Sequence, residues 1–183
     1  MGGMVTTARL HFPPESYLLA DGQRATLRAI RPTDAPLIQA FVSRLSPESS
    51  YYRFLSTITA LSDAEAARLA NVDYVDRMAL VATLLGAEGE YIIAVARYAR
   101  STTRPDRAEF AVVVADEYQQ QGIARALIKH IGAYARRYGI RAFTGTILGG
   151  NLRMRQFVKN CGLPSRMAAG DHGELEVEVQ LDE

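Results

Sequence analysis

The chain has 183 residues, 48% of them apolar and 22% charged, with a formal net charge of +1. That length and composition suit one globular domain with a substantial core. The near-zero charge argues against a general nucleic-acid binder, and no apolar run approaches the length of a bilayer span, so neither nucleic acid nor membrane is an expected partner.

Residues 1 to about 22 read as an irregular N-terminal segment, with Pro13-Pro14, ahead of a domain over 23–183. The opening Met1-Gly2-Gly3-Met4-Val5-Thr6 fits the loose template for myristoylation, but a plain flexible start is the expected reading. Ala25 to Ile30 alternates as a strand does. Thr33 is placed to cap a helix that has Asp34 and Pro36 in its first turn and runs to about Leu45. Ser46-Pro47-Glu48 starts a short helix carrying Tyr51, Tyr52, Arg53 and Phe54, and Ser62-Asp-Ala-Glu65 is a capping box for a third, to about Asn71. Met78 to Leu85 and Tyr91 to Tyr98 read as strands joined by the turn Gly86-Ala-Glu-Gly89. A polar loop follows, then a strand from Ala108 to Ala115. Ile123, Leu127, Ile131, Tyr134 and Tyr138 recur at helical spacing, Arg141 to Leu148 is a strand, Asn151 to Asn160 a helix, and Glu174 to Leu181 a terminal strand. The order β-α-α-α-β-β-β-α-β-α-β predicts an α/β (α+β) fold. Its sheet is mixed, mostly antiparallel and twisted, with flanking helices and one crossover through the long helix.

The segment Glu109-Phe-Ala-Val-Val-Val-Ala-Asp-Glu-Tyr-Gln-Gln-Gln-Gly-Ile-Ala124 carries the chemistry. A doubly apolar strand enters Gln119-x-x-Gly122-x-Ala124, which opens the long helix. Helix N-termini offer orphan N–H groups and the positive end of the macrodipole, so this turn suits an anion. Gly122 and Ala124 have no bulk to obstruct a pyrophosphate, leaving the amides of Gln120, Gln121, Gly122, Ile123, Ala124 and Arg125 free to face it. Glu109 stands ten residues before Gln119. At the start of an apolar strand it should be partly desolvated, which would make it a better proton acceptor. The competing reading is a strand-end ion pair with Arg107 or Arg97. Together these features point to a phosphate-bearing cofactor beside a proton acceptor.

On these residues the chain resembles the GNAT superfamily of acyl-CoA-dependent N-acyltransferases, whose motif Gln/Arg-x-x-Gly-x-Gly/Ala stands here as Gln119-Gln-Gln-Gly122-Ile-Ala124. Asn151, with Cys161-Gly162-Leu163 downstream, resembles the family's second motif. The likeness extends to bacterial Pat-type protein lysine acetyltransferases through Leu27-Arg-x-Ile-Arg-Pro-x-Asp34, Ser50-Tyr-Tyr-Arg-Phe54, Val72 to Leu80, Val95-Ala-Arg-Tyr98 and Ala108-Glu-Phe-Ala111. The resemblance covers roughly residues 20 to 165. It implies a GNAT-like fold that binds acetyl-CoA as co-substrate where the sheet splays. By the same resemblance, Val112, Val113 and Val114 offer main-chain bonds to the pantetheine arm, and Glu109 is the catalytic base, acting through a water.

Asn151 either bonds the pantetheine, as the family implies, or simply caps its helix. Tyr51, Tyr52 and Arg53 lie on a helix that in this superfamily borders the acceptor groove; the alternative is aromatic packing and a solvated arginine. Arg125, Arg153, Arg155 and Lys159 are candidates for the 3′-phosphate of coenzyme A, of which one or two are expected to reach it. Many GNAT enzymes place a tyrosine acid seven residues after the asparagine; here that position is Val158, which excludes it. Cys161, the single cysteine, precludes an internal disulfide and a cysteine-built zinc site. Its place before Gly162 favours a structural role, and a reducing, cytoplasmic setting is expected. His11, His130 and His172 are scattered and show no metal spacing. The expected reaction moves an acetyl group to a primary amine. The acceptor is a protein lysine, an acyl-CoA synthetase being one candidate by resemblance. The rivals are a small amine, or a non-catalytic acyl-CoA sensor.

Overall fold

The computed structural model describes residues 12–54 and 58–181; the Met1–Thr6 motif and His11 lie outside them. Eight strands form one sheet, in the order β1-β2-β3-β4-β5-β6-β8-β7. They are β1 (Glu15–Leu18), β2 (Arg24–Ala29), β3 (Arg77–Gly86), β4 (Gly89–Arg100), β5 (Arg107–Val114), β6 (Ala142–Leu148), β7 (Ser165–Ala169) and β8 (Glu174–Gln180). The helices are α1 (Ala35–Ser43), α2 (Pro47–Phe54), α3 (Asp63–Ala70), α4 (Ile123–Arg136) and α5 (Leu152–Asn160). Every neighbouring pair of strands is antiparallel except β5 and β6, which are parallel and joined through α4. The sheet is thus mixed, mostly antiparallel and flanked by helices, as the pattern of elements predicts.

Residues of β3 from Met78 to Leu84 are buried on both faces, which is why this strand reads as a nearly unbroken apolar run. One face packs on α4, whose Ile123, Leu127, Ile128 and Ile131 are fully buried against Leu80, Ala96 and Phe143. The other face receives α1 and α3: Ile38, Phe41, Ala66 and Ala70 pack on Ala79, Val81 and Val95. Ser62 caps α3 by accepting from Glu65 N–H, while the Glu65 carboxylate accepts from Ser62 N–H at 2.8 Å.

Three expectations need correction. The segment up to residue 22 is not wholly irregular, because Glu15–Leu18 pairs with β2. Ser165–Ala169 forms an unexpected strand on the far side of β8. Both are edge strands with mainly exposed side chains, so neither carries an apolar signal. Thr33 does not cap the first helix. Pro32–Asp34 is a 3-10 turn and Asp34 is the residue preceding α1. Its carboxylate is held by the Arg28 guanidinium at 2.7 and 2.9 Å and by Arg31 N–H at 2.8 Å, so the chain turns into the helix around Asp34.

Candidate active site

The site begins where two parallel strands part. β5 pairs with β6 only at Arg107–Ala142, Ala108–Phe143 and Glu109–Thr144, and from Phe110 onward the strands diverge. Along its other edge β5 stays paired with β4 as far as Val114. Ala115 N–H donates to Ile93 O at 2.8 Å while Ala94 stands opposite Val114, and this fixes the alternation of hydrogen bonds. Glu109, Ala111 and Val113 exchange main-chain bonds with β4, whereas Phe110, Val112 and Val114 turn theirs toward the gap. Val113 is therefore corrected as a main-chain donor. Of the three valines only Val112 and Val114 can offer backbone groups to a ligand between the strands. Val114 O already accepts from Gln119 Nε2 at 3.1 Å, on the gap side.

The turn that follows gathers amides unpaired among the described residues. Gln120 has φ 61° and Gly122 has φ 80°, two left-handed residues separated by one, which curl the chain before α4. The first helical bond runs from Ala126 N–H to Gly122 O at 3.0 Å. The N–H groups of the six residues from Gln120 to Arg125 have no acceptor among the described residues. Orphan donors on successive residues at the start of a 14-residue helix fit a diphosphate in both charge and geometry. Gln119 and Gln121 behave differently. Gln119 N–H is used by Asp116 O at 3.3 Å, and its side chain links Val114 O, Ser49 Oγ and Arg153. Gln121 points away from the gap: its carbonyl accepts from Tyr17 Oη at 2.9 Å and its Oε1 from Ala20 N–H at 3.2 Å. The side chains of both glutamines brace the turn, Gln119 from within the lining of the gap and Gln121 from the β1 side.

A cleft of about 2190 Å³ runs along this gap, lined by Glu109, Val112, Val114, Gly122, Ala124, Asn151 and their neighbours. Side chains of β5 alternate across the sheet, so Glu109 stands on the face opposite α4, in register with Thr144 of β6. It is exposed, which corrects the expected desolvation. The ion pairs weighed for it do not form. Arg107 bonds Asp106 and approaches Glu178, and Arg97 donates to Leu69 O at 2.9 Å. Burial lowers the Arg53 guanidinium below its ordinary value, and the nearby Glu109 carboxylate offsets part of that. Burial and the charges of Arg53 and Arg68 bring Arg97 down to about 10. Tyr52 and Arg53 line the cleft beside Glu109. Tyr51 does not; it is 45% exposed and tilts against the Tyr52 ring.

Asn151 is buried and does cap α5, its Oδ1 accepting Met154 N–H at 3.0 Å. Its side-chain amide N–H donates to nothing among the described residues, so capping leaves a donor for a ligand. Val158 is buried where a tyrosine acid is common in the family. Cys161 is 3% exposed and packs in the core, with Sγ 3.3 Å from Val158 O. Arg125 and Arg153 line the cleft; Arg155, bonded to Gly149 O, and Lys159 do not. Among the described residues no group of three or more His, Cys, Asp or Glu side chains could hold a metal. Sequence reasoning missed Tyr17, which lies in a segment with no strand signal. It also missed Asp116, whose carboxylate ties Ser46 and Ser49 of the α2 entrance to the turn at 2.8–3.0 Å.

A parallel pair that parts beside an amide-rich helix entrance makes a cleft suited to a phosphate-bearing ligand, and comparison with known proteins supplies the class. Residues 49–163 match the acetyltransferase (GNAT) family, so the chain belongs to that family and is an N-acetyltransferase enzyme. It is 35% identical over 138 residues to an acetyltransferase of Pseudomonas aeruginosa, covering 75% of this chain and 73% of that protein. It is 32% identical over 141 residues to the acetyltransferase Pat of Mycolicibacterium smegmatis, covering 77% of this chain but 41% of Pat. The crystal structure of the GNAT domain of S. lividans PAT superposes with a TM-score of 0.81 at 34% identity, covering 91% of this chain and 96% of that one.

Proposed function

We propose that this enzyme transfers an acetyl group from acetyl-CoA to a protein lysine, in a ternary complex and without a covalent enzyme intermediate. The observation that carries this reading is Glu109. It sits at the last paired position before β5 and β6 part, is not tied up by Arg107 or Arg97, and opens beside Arg53 on the face opposite α4. The diphosphate lies on the amides of Gln120 to Arg125, and the pantetheine takes bonds from Val112, Val114 and the Asn151 amide. The thioester then arrives at the fork of the strands, and the amine enters from the Glu109 side.

A lysine amine with a pKa of about 10.4 arrives protonated. Glu109 takes that proton, directly or through one water. The nitrogen lone pair then attacks the thioester carbonyl carbon, the nitrogen of the tetrahedral intermediate gives its second proton to solvent, and collapse of that intermediate to the amide breaks the C–S bond. Val158 supplies no acid, and a thiol with a pKa of about 8.5 leaves as the thiolate and is protonated by solvent.

The acceptor is read as a polypeptide because the cleft is open on the Glu109 side, where Tyr52 and Arg53 line it. Its lining carries six arginines and five glutamates, which gives no acidic cage of the kind a small polyamine would prefer. The likeness to Pat points the same way, and with it to acyl-CoA synthetases as acceptors in a cytoplasmic setting. Glu109→Gln should lower kcat by about a hundred- to ten-thousand-fold with acetyl-CoA affinity unchanged. A near-normal rate at neutral pH removes Glu109 from the mechanism. Labelled acetyl-CoA added to a lysate of the source cells, followed by mass spectrometry, identifies the acceptor; label found only on small amines would overturn the lysine assignment.

A further inference from the structure

The edge strand β1 reaches the cofactor turn by a route that the family motif does not contain. Tyr17 is half-buried on β1, and its hydroxyl donates to Gln121 O at 2.9 Å, across 104 positions of sequence. Ala20, two residues beyond the strand's end, gives its N–H to Gln121 Oε1. Both polar ends of Gln121 are thus held from the same side. In a trans peptide the C=O and the following N–H point in opposite directions. Holding the Gln121 carbonyl toward β1 therefore turns the Gly122 N–H the other way. Gly122 lines the cleft and Gln121 does not, so that direction is into the cleft. The turn has reason to need such a hold. Gln120 is a non-glycine residue at φ 61°, a conformation that side-chain-bearing residues disfavour, and a rotated 121–122 peptide would present a carbonyl oxygen to the anion instead of a donor. Tyr17 also closes the space beside Gly122: a Cβ there would stand 2.7 Å from the Tyr17 oxygen.

We propose that Tyr17 is a positioning residue for acetyl-CoA, fixing the Gln121–Gly122 peptide so that the Gly122 amide faces the diphosphate. This rests on the reading that the turn binds that diphosphate. Tyr17→Phe keeps the ring and removes only the hydroxyl. The variant is compared with the wild type on acetyl-CoA and on acetyl-pantetheine, a thioester without the diphosphate. One neutral hydrogen bond corresponds to roughly two- to ten-fold, so KM for acetyl-CoA should rise by that factor. The kcat at saturation and the kcat/KM for acetyl-pantetheine should stay within about twofold of wild type. An unchanged KM for acetyl-CoA overturns the proposal, and so does an equal loss on both thioesters, which marks a merely structural role. A wild-type enzyme that uses acetyl-pantetheine as well as acetyl-CoA overturns the diphosphate site itself, and the role of Tyr17 with it.

Discussion

Replacing Asp34 by alanine should destabilise this enzyme severely without touching its chemistry. Arg28 and Asp34 are 3% and 4% exposed. All five guanidinium N–H groups of Arg28 are engaged. Nε and Nη2 bond the Glu90 carboxylate at 3.0 and 3.1 Å, Nη1 and Nη2 bond Asp34 at 2.7 and 2.9 Å, and Nη1 also bonds Ala29 O at 3.1 Å. Burial acts to lower the guanidinium, but the hydrogen bonds to Asp34 and Glu90 outweigh it and raise it above its ordinary value. Asp34→Ala leaves two of those N–H groups and Arg31 N–H without their acceptor, beside a buried cation. Removing one member of a buried pair costs about 3–5 kcal/mol. Glu90, 38% exposed, remains as one counter-charge, which places the cost toward about 3 kcal/mol. For a domain of this size each kcal/mol shifts Tm by about 2–4 °C, so the expected fall is roughly 6–12 °C by calorimetry or thermal circular dichroism. Neither residue lines the cleft, so KM for acetyl-CoA, measured well below the transition, should not change. A fall under about 2 °C would refute the assigned cost of the orphaned charge; lost acetyl-CoA binding in a folded variant would refute the separation of this motif from the site.

Two further predictions concern the turn and its anchor. Gly122→Glu adds a Cβ 2.7 Å from the Tyr17 oxygen, strains a φ of 80°, and sets a carboxylate before the amides; acetyl-CoA binding by calorimetry should vanish, and retained micromolar binding would refute the phosphate cradle. Burial pushes the Asp116 carboxyl up, but the Ser46 N–H and the Ser49 and Ser46 hydroxyls outweigh it and hold it below its ordinary value. Its folded pKa is thus the lower one, so its contribution to stability is full above about 3.9 and is lost as pH falls through the folded value. Urea midpoints between about pH 5 and 2.5 should fall less steeply in Asp116→Asn than in wild type; parallel slopes would count against the network that holds α2.

Much of this fold is written locally. The buried centre of β3 and β4 shows as apolar runs, because both faces are covered and every position is constrained. The Ser62–Glu65 box shows because its donors and acceptors lie three residues apart. The Gln119–Ala124 turn shows because φ 80° at position 122 favours glycine. What interactions within a few residues determine, the sequence alone makes readable: the central strands, the helices, the anion turn and the position of Glu109 on its strand.

The rest was decided by partners far away along the chain. β1 and β7 are edge strands of mainly exposed residues, and only pairing with β2 and β8 makes them strands. Val113 faces β4 rather than the gap because register, not composition, sets which residues bond which edge. Tyr52 enters the cleft and Tyr51 does not, and Arg125 and Arg153 line it while Arg155 and Lys159 lie elsewhere; these differences depend on how helices are rotated when they dock. Glu109 is exposed because the sheet opens beside it, and Tyr17 meets Gln121 because an edge strand is laid next to the turn. Each is a contact between residues whose own neighbourhoods do not specify it, so only the packed tertiary structure fixes it.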